Sequence, residues 1–257
     1  MQYDLLRQHS QWRPPEDIRV LVGCEKSGVG RNAFLDLGYD AYSCDLLPAD
    51  DRSNRHMQVD LIDILDDGWD MLVVLHPPCK RLCNSSVRWL TGPTPPKGRT
   101  FDDMWRELEE GAKFFSQCWN APVKHKAVEN PVMNPYAAER IENFRPPAQT
   151  VQPWWFGCEA FKATSFWLEE LEPLMPTIKL IPPKKEEEPL RHAKWSAIHR
   201  ASPGPDRTNI RSKTFPGLAK AFAKQWGDFV CHYAITDHMD LNSTTRLDRL
   251  SAMGLRP

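Results

Sequence analysis

The sequence predicts an α/β protein built on a doubly wound, mostly parallel sheet, and three observations carry that prediction. Short β-rich runs at residues 18–22, 39–44 and 71–75 are separated by helical or loop stretches rather than by hairpin turns. The first run stops at Gly23 and passes through the glycine-bearing turn Cys24-Glu25-Lys26-Ser27-Gly28-Val29-Gly30 into a helix. Over residues 101–119, Phe101, Met104, Trp105, Leu108, Ala112, Phe115 and Trp119 recur at helical spacing, which supplies a long helix to cover one sheet face.

In chain order, residues 1–17 are polar, end near Pro14-Pro15 and read as an arm. The strand at 18–22 and its turn lead to a helix over 31–37, closed by Gly38. A second strand at 39–44 ends at Asp45, and Asp60 falls where a further strand would end. The apolar run 71–75 leads into His76-Pro77-Pro78-Cys79. After a basic loop and the long helix, 126–128 is a brief strand left by Glu129-Asn130-Pro131, and two more strands are expected at 150–152 and 165–168. Residues 182–213 are proline-rich and charged without periodicity, whereas 216–226 forms an amphipathic helix with Leu218, Ala221, Phe222 and Gln225 on one stripe. The expected organisation is an arm (1–17), a main domain (18–181), an insert (182–208), a return segment completing the domain (209–235) and a weakly patterned tail (236–257).

A length of 257 residues suits one such domain with a modest appendage. The net charge of -1 excludes a globally basic nucleic-acid binder, so any such contact must use local patches. Seven cysteines at irregular spacings argue against a disulfide framework and fit a reducing cytosol. No signal-peptide pattern and no apolar run of membrane-spanning length is present, so a soluble intracellular protein is expected.

A strand, a glycine turn, a helix, a second strand and an acid form the physical recipe for holding a nucleoside cofactor. Glycine lets the backbone approach the ligand, and the acid, here Asp45, accepts from ribose hydroxyls. The spacing of Gly23, Gly28 and Gly30 departs from Gly-x-Gly-x-x-Gly, which counts against a dinucleotide. Asp60 has two readings, an adenine-facing carboxylate or a helix cap. Cys79 also has two. Following a buried strand on a backbone stiffened by two prolines, it is either a small buried hydrophobe or a nucleophile held in one place.

Together these elements resemble the cytosine carbon-5 DNA methyltransferases, in particular the short versions common in phages and prophages. Val22-Gly23-Cys24-Glu25 through Phe34 and Gly38 is similar to the family's first motif, Ser43-Cys44-Asp45 to the second and Asp60 to the third. Pro77-Pro78-Cys79 is similar to the nucleophile motif, Glu129-Asn130-Pro131 to the Glu-Asn motif, Lys162-x-Thr164 to the Arg-x-Arg element, and residues 209–219 to the last motif. The resemblance covers roughly residues 18–230 and implies a Rossmann-like fold that uses S-adenosylmethionine. The cofactor would be held by Gly23, Cys24, Glu25, Ser27 and Gly28, by Asp45, Leu46 and Asp60, and by Pro77 and Ser212. In the implied mechanism the Cys79 thiolate adds to carbon 6 of a flipped cytosine, which makes carbon 5 nucleophilic. Glu129 contacts ring nitrogen 3 and the amino group, with Lys162 and Thr164 beside it.

Lys80, Arg81, Arg88, Lys97 and Arg99 lie between Pro77 and Phe101 without an acid, as suits a loop closing on a phosphate backbone. Lys80, Arg81, Asn84, Ser85 and Arg88 are therefore expected to meet nucleic acid. Residues 182–213 carry eight Lys/Arg against four acids, and Lys194, Arg200 and Arg211 are expected to meet it as well. The implied partner is double-stranded DNA and the expected state a monomer, with no membrane and no metal. Cys79 and Cys83 have a metal-like spacing but no second Cys/His pair.

The chain departs from the family in three ways. Gly-Cys-Glu-Lys-Ser-Gly replaces the usual first motif, the insert is short for tight sequence specificity, and His76 stands where larger members carry glycine. His76 could tune Cys79, pack under the loop or narrow the pocket. The rival readings are a folate-dependent pyrimidine methylase, the same fold acting on tRNA, and a catalytically silent DNA-binding homologue.

Overall fold

The computed structural model describes residues 12–198, 200 and 214–233. Residues 1–11 of the arm, the insert beyond Arg200, Arg211 and Ser212, and the tail lie outside them. The core element is a seven-stranded sheet in the order β3-β2-β1-β4-β5-β7-β6. Its strands are β1 (Arg19–Gly23), β2 (Asp40–Cys44), β3 (His56–Met57), β4 (Met71–Val74), β5 (His125–Asn130), β6 (Gln149–Val151) and β7 (Thr164–Glu169). Strands β1 to β5 run parallel, whereas β7 runs against both β5 and β6. The chain is thus α/β with a mostly parallel mixed sheet, compatible with a Rossmann-like fold. Strand order reverses between β1 and β4, the switch point beside which doubly wound sheets bind ligands.

The central strands are apolar at successive positions because helices cover both faces. On one face, α1 (Val29–Leu35) and α6 (Pro216–Tyr233) pack against β1 and β4 through Phe34, Phe222 and Trp226. Phe222 and Trp226 stack with ring centroids 5.5 Å apart. On the other face lies α3 (Phe101–Trp119), buried along Met104, Leu108, Ala112, Phe115 and Trp119. Between β4 and α3 the chain makes a single helical turn, α2 (Arg88–Thr91), and β5 is followed by another, α4 (Pro135–Ala138). Asn134 caps that turn with its side-chain oxygen on the Ala137 N–H.

Several boundaries differ from expectation. Helix α1 starts two residues early because its N-terminus is capped from within the preceding turn. Asp60 does not end a strand; it follows the two-residue β3 and caps a 3-10 turn, Leu61–Ile64, by accepting from the Ile62 N–H at 3.0 Å. The final helix runs on to Tyr233. Within the insert, α5 (Pro189–Trp195) forms where no periodicity was expected. Seven residues are too few for a repeating stripe, and the helix is anchored by one fully buried ring, Trp195, packed on Phe161 at 5.3 Å.

Gly28 takes a left-handed conformation, φ 75°, as the residue before α1. A Cβ there would stand 2.4 Å from Arg31 Nη2 and 2.6 Å from Asp51 Oδ2. Arg31 is fully buried and joins Ser43, Asn32 and Asp51, so Gly28 makes room for an ion pair that ties the β1–α1 turn to the β2–β3 loop. Gly98 has the same handedness, φ 76°, but open space around its missing Cβ. Gly28→Ala is expected to lower stability by about 1–3 kcal/mol in urea unfolding, and Gly98→Ala by about 1 kcal/mol or less. Equal losses would show that backbone strain alone matters at Gly28.

Candidate active site

The sheet's hydrogen-bond register brings the expected chemistry to one edge. Gly23 pairs with Val74, and Val74 with Val128, so the segments leaving β1, β4 and β5 emerge side by side. They deliver Cys24, His76 to Cys79, and Glu129, respectively. Because β7 runs opposite to β5, its first residues lie at the carboxyl end of β5, with Asn130 opposite Ser165 and Glu129 opposite Phe166. This reversal sets Lys162 and Thr164 beside Glu129, although they lie more than thirty residues away in sequence. Thr164 is buried and bonds its hydroxyl to the Lys162 carbonyl at 3.2 Å, while the Lys162 N–H donates to Gln152 at 3.2 Å. Both bonds shape the turn that carries the ammonium group.

Cys79 is half-buried, and its carbonyl accepts from the Leu82 and Cys83 N–H groups. The loop after it is held against the segment after β5. Cys83 bridges Met133, Asn84 N–H donates to the Val132 carbonyl, and Asn134 donates to the Arg81 carbonyl at 2.8 Å. Pro77 is buried at the root of this element.

The electrostatics of the cluster are coupled. Burial pushes the Cys79 thiol up to about 11, the Glu129 charge and Cys83 add to the rise, and Lys162 opposes it. Burial raises Glu129 from an ordinary 4.5 to about 7, again opposed by Lys162. Burial also lowers His76 to about 3, reinforced by Lys162. Near neutral pH, His76 is therefore neutral, Glu129 exchanges its proton and Cys79 is a thiol. His76 Nδ1 stands 4.0 Å from Glu129 Oε2, and with a neutral imidazole this contact is not an ion pair. Lys162 is the cation felt by all three groups, and it forms no ion pair among the described residues. Beside Glu129, Asn130 is fully buried; it donates to the Pro131 carbonyl at 2.8 Å, but its Oδ1 has no partner among the described residues.

At the neighbouring exit of β1, Cys24 adopts φ 55°. Burial raises its thiol pKa, with further contributions from Cys118, Cys44, Asp45 and Asp60. Asp45 accepts from the Leu47 N–H at 2.9 Å through Oδ1, and Asp60 uses Oδ1 for its cap, so each has a second oxygen outside those bonds. Leu46 beside Asp45 is 68% exposed, and Val59 beside Asp60 is also exposed. Two carboxylates flanked by exposed apolar side chains fit an adenosine group, with acids for hydroxyl and amino donors and an apolar surface for the ring.

Three expected cofactor residues also have roles in the fold. Glu25 is buried and accepts from the Ser27 hydroxyl and the Gly30 and Arg31 N–H groups, capping α1. Ser27 is occupied by that bond. Gly23 admits Leu61, whose Cδ2 would stand 2.6 Å from a Cβ.

The basic loop differs most from its sequence reading. Arg81 is buried and bonds Glu107 of α3 at 2.6 Å; Arg99 bonds the same carboxylate at 2.7 Å, and Lys80 lies 3.8 Å away. Arg81 therefore holds the loop on α3 rather than facing outward. Asn84 and Ser85 are exposed, and Arg88 is exposed over the Trp89 ring at 4.5 Å. In the insert, Lys194 pairs with Glu159 at 3.0 Å, and Arg200 is exposed. Sequence reasoning missed Glu107 and Thr214 because their partners are distant in the chain. Asn130 belongs to a recognised motif, yet only its unpartnered oxygen marks it out individually.

A separate groove between residues 62–66, α3 and residues 140–142, lined by Lys113, Gln117 and Glu142 among others, contains none of these residues. Among the described residues no helix is long and apolar enough to cross a membrane, and no three His, Cys, Asp or Glu side chains are grouped to hold a metal ion. Compared with known proteins, the chain matches no family model, and no curated protein is detectably similar to it.

The raised Glu129 implies a specific pH dependence. A carboxyl group with a higher pKa in the folded state contributes stability that is fully present below its ordinary pKa and is lost as pH rises through about 7. Glu129→Gln removes that loss. The variant is expected to gain on the wild type between pH 5 and pH 8.5, by up to about 3 kcal/mol in urea unfolding. A difference independent of pH would mean that Glu129 is not desolvated in the folded protein. Taking the difference between the two proteins cancels most of the opposite trend contributed by His76.

Proposed function

We propose that this protein transfers a methyl group from S-adenosylmethionine to carbon 5 of cytosine in DNA. One observation carries the reading: Cys79, Glu129 and Lys162 converge at the carboxyl edge of the sheet, next to the acid-lined end of β1 and β2.

The roles follow from chemistry. Carbon 5 of cytosine is too weak a nucleophile until a group adds at carbon 6. Cys79, fixed by the Pro-Pro element, is placed for that addition, and the base must leave the helical stack to reach it. The thiol of the free protein is protonated near neutral pH, so its proton passes to solvent before attack, and half-buried Cys79 keeps that access. Lys162 favours the thiolate, and protonation of Glu129 removes the negative charge that opposes it. Protonated Glu129 donates to ring nitrogen 3 as negative charge develops there, and its other oxygen accepts from the amino group. Asp45 and Asp60 would hold the adenosine part of the cofactor, with Leu46 against its ring. When bound, S-adenosylmethionine supplies the electrophilic methyl group. Arg88, Asn84 and Ser85, with Lys80 and Lys97, are exposed loop groups available to a phosphate backbone or an extruded base.

Incubation with S-adenosylmethionine and duplex DNA containing 5-fluorocytosine is expected to trap a covalent adduct on Cys79, identified by peptide mapping. Cys79→Ser is expected to lose methyl transfer by at least about a thousandfold while retaining cofactor binding. An adduct formed with tRNA and not with DNA would reassign the substrate. No adduct across DNA of varied sequence would overturn the enzymatic reading in favour of a silent DNA-binding protein.

A further inference from the structure

His76 links two parts of the site that are remote in sequence. Its Nε2 lies 2.9 Å from the Thr214 hydroxyl, 138 residues further along the chain, and its Nδ1 lies 4.0 Å from Glu129 Oε2. Thr214 is 7% exposed, and the His76 ring is its hydroxyl's hydrogen-bond partner among the described residues. A buried hydroxyl hydrogen left without an acceptor is unfavourable, so Thr214 donates and Nε2 accepts. That assignment puts the imidazole proton on Nδ1, the nitrogen facing Glu129. The Glu129 carboxylate in turn accepts no hydrogen bond from the described residues, so this N–H is a donor aimed at one of its two oxygens. Cys79 and His76 face the carboxylate from the exit of β4, Lys162 faces it from the turn before β7, and Thr214 stands behind the imidazole.

We propose that His76 is a positioning residue for Glu129. Held by Thr214, its Nδ1–H faces Oε2 and leaves Oε1 to carry the proton delivered to ring nitrogen 3 of the target cytosine. This role rests on the proposed methyl transfer and adds a constraint to it, because a carboxylic acid that could be protonated on either oxygen would present the wrong one to the base part of the time. As the bond between Cys79 Sγ and carbon 6 forms, the Oε1 proton passes to nitrogen 3. Carbon 5 then takes the methyl group from the sulfonium. As the carbon-5 proton leaves to solvent, the Sγ–carbon 6 bond breaks, nitrogen 3 returns its proton to Oε1, and Glu129 ends as it began. At 4.0 Å the N–H makes no direct hydrogen bond to Oε2 and acts on this nearer oxygen through the field of its dipole in a buried setting.

Two measurements test the proposal. Imidazole nitrogen NMR of the full-length protein, with the His76 signals identified by their loss in His76→Gln, is expected to show the Nδ1-protonated tautomer in the wild type. The tautomer is expected to change in Thr214→Val and to be restored in Thr214→Ser. The opposite tautomer in the wild type would overturn the proposal whether or not the protein is active. In methyl-transfer assays, Thr214→Val is expected to lower kcat by about tenfold or more, to leave KM for DNA unchanged, and to shift the limb of the pH profile that reports Glu129. Thr214→Ser is expected to restore both. A purely structural role for the Thr214 bond would lower activity without moving that limb, and this outcome would overturn the positioning role alone. Wild-type protein without methyl transfer or a 5-fluorocytosine adduct would overturn the proposed function and this role with it.

Discussion

The register of three parallel strands is the constraint on which the candidate site depends. Gly23, Val74 and Val128 stand in one row across β1, β4 and β5, tied by backbone hydrogen bonds in the middle of a sheet buried on both faces. A parallel ladder delivers the carboxyl ends of its strands to the same edge, and side chains just beyond them must share whatever lies there. A slip of one residue in β4 or β5 would turn apolar side chains to the opposite face and misplace Cys79 relative to Glu129. Core packing thus specifies the site geometry before any polar group contributes.

The polar groups then interact in a low-dielectric setting. Burial raises both Cys79 and Glu129 and lowers His76, so the cluster prefers to carry little charge, and Lys162 supplies the opposing field. The reversed strand β7 is responsible for that cation. A parallel strand in its place would begin at the other end of the sheet and leave Lys162 far from the site.

Much of this architecture was legible in the sequence, and what was legible was local. Helix α3 spans the residues its apolar spacing predicts because Thr100 and Asp103 form a capping box at its start. The strands β1 and β4 contain apolar runs and β2 is a short mixed run, each followed by a turn. Pro77-Pro78-Cys79 and Glu129-Asn130-Pro131 announce themselves as motifs at strand ends. Long-range pairings were not legible. Glu107 looks like any polar-face residue of an amphipathic helix, yet it pairs with three of the five cations of a loop that reads as free of acids. Glu25 sits in a motif that suggests a ligand, yet its carboxylate closes a helix. The readings of His76 stayed open because its partners, Thr214 and Glu129, come from two other segments that only the tertiary structure brings together.

The junction at Glu107 has a consequence for how this surface would meet a polyanion. Lys80, Arg81 and Arg99 share one carboxylate, which serves as an internal counterion. A phosphate that recruits Lys80 or Arg99 then exchanges one anion for another instead of meeting a bare charge. The number of basic residues in the loop therefore overstates the salt sensitivity of such an encounter. Buried Arg81 keeps its bond to Glu107 through that exchange, so the loop stays clamped to α3 while its two outer cations change partners.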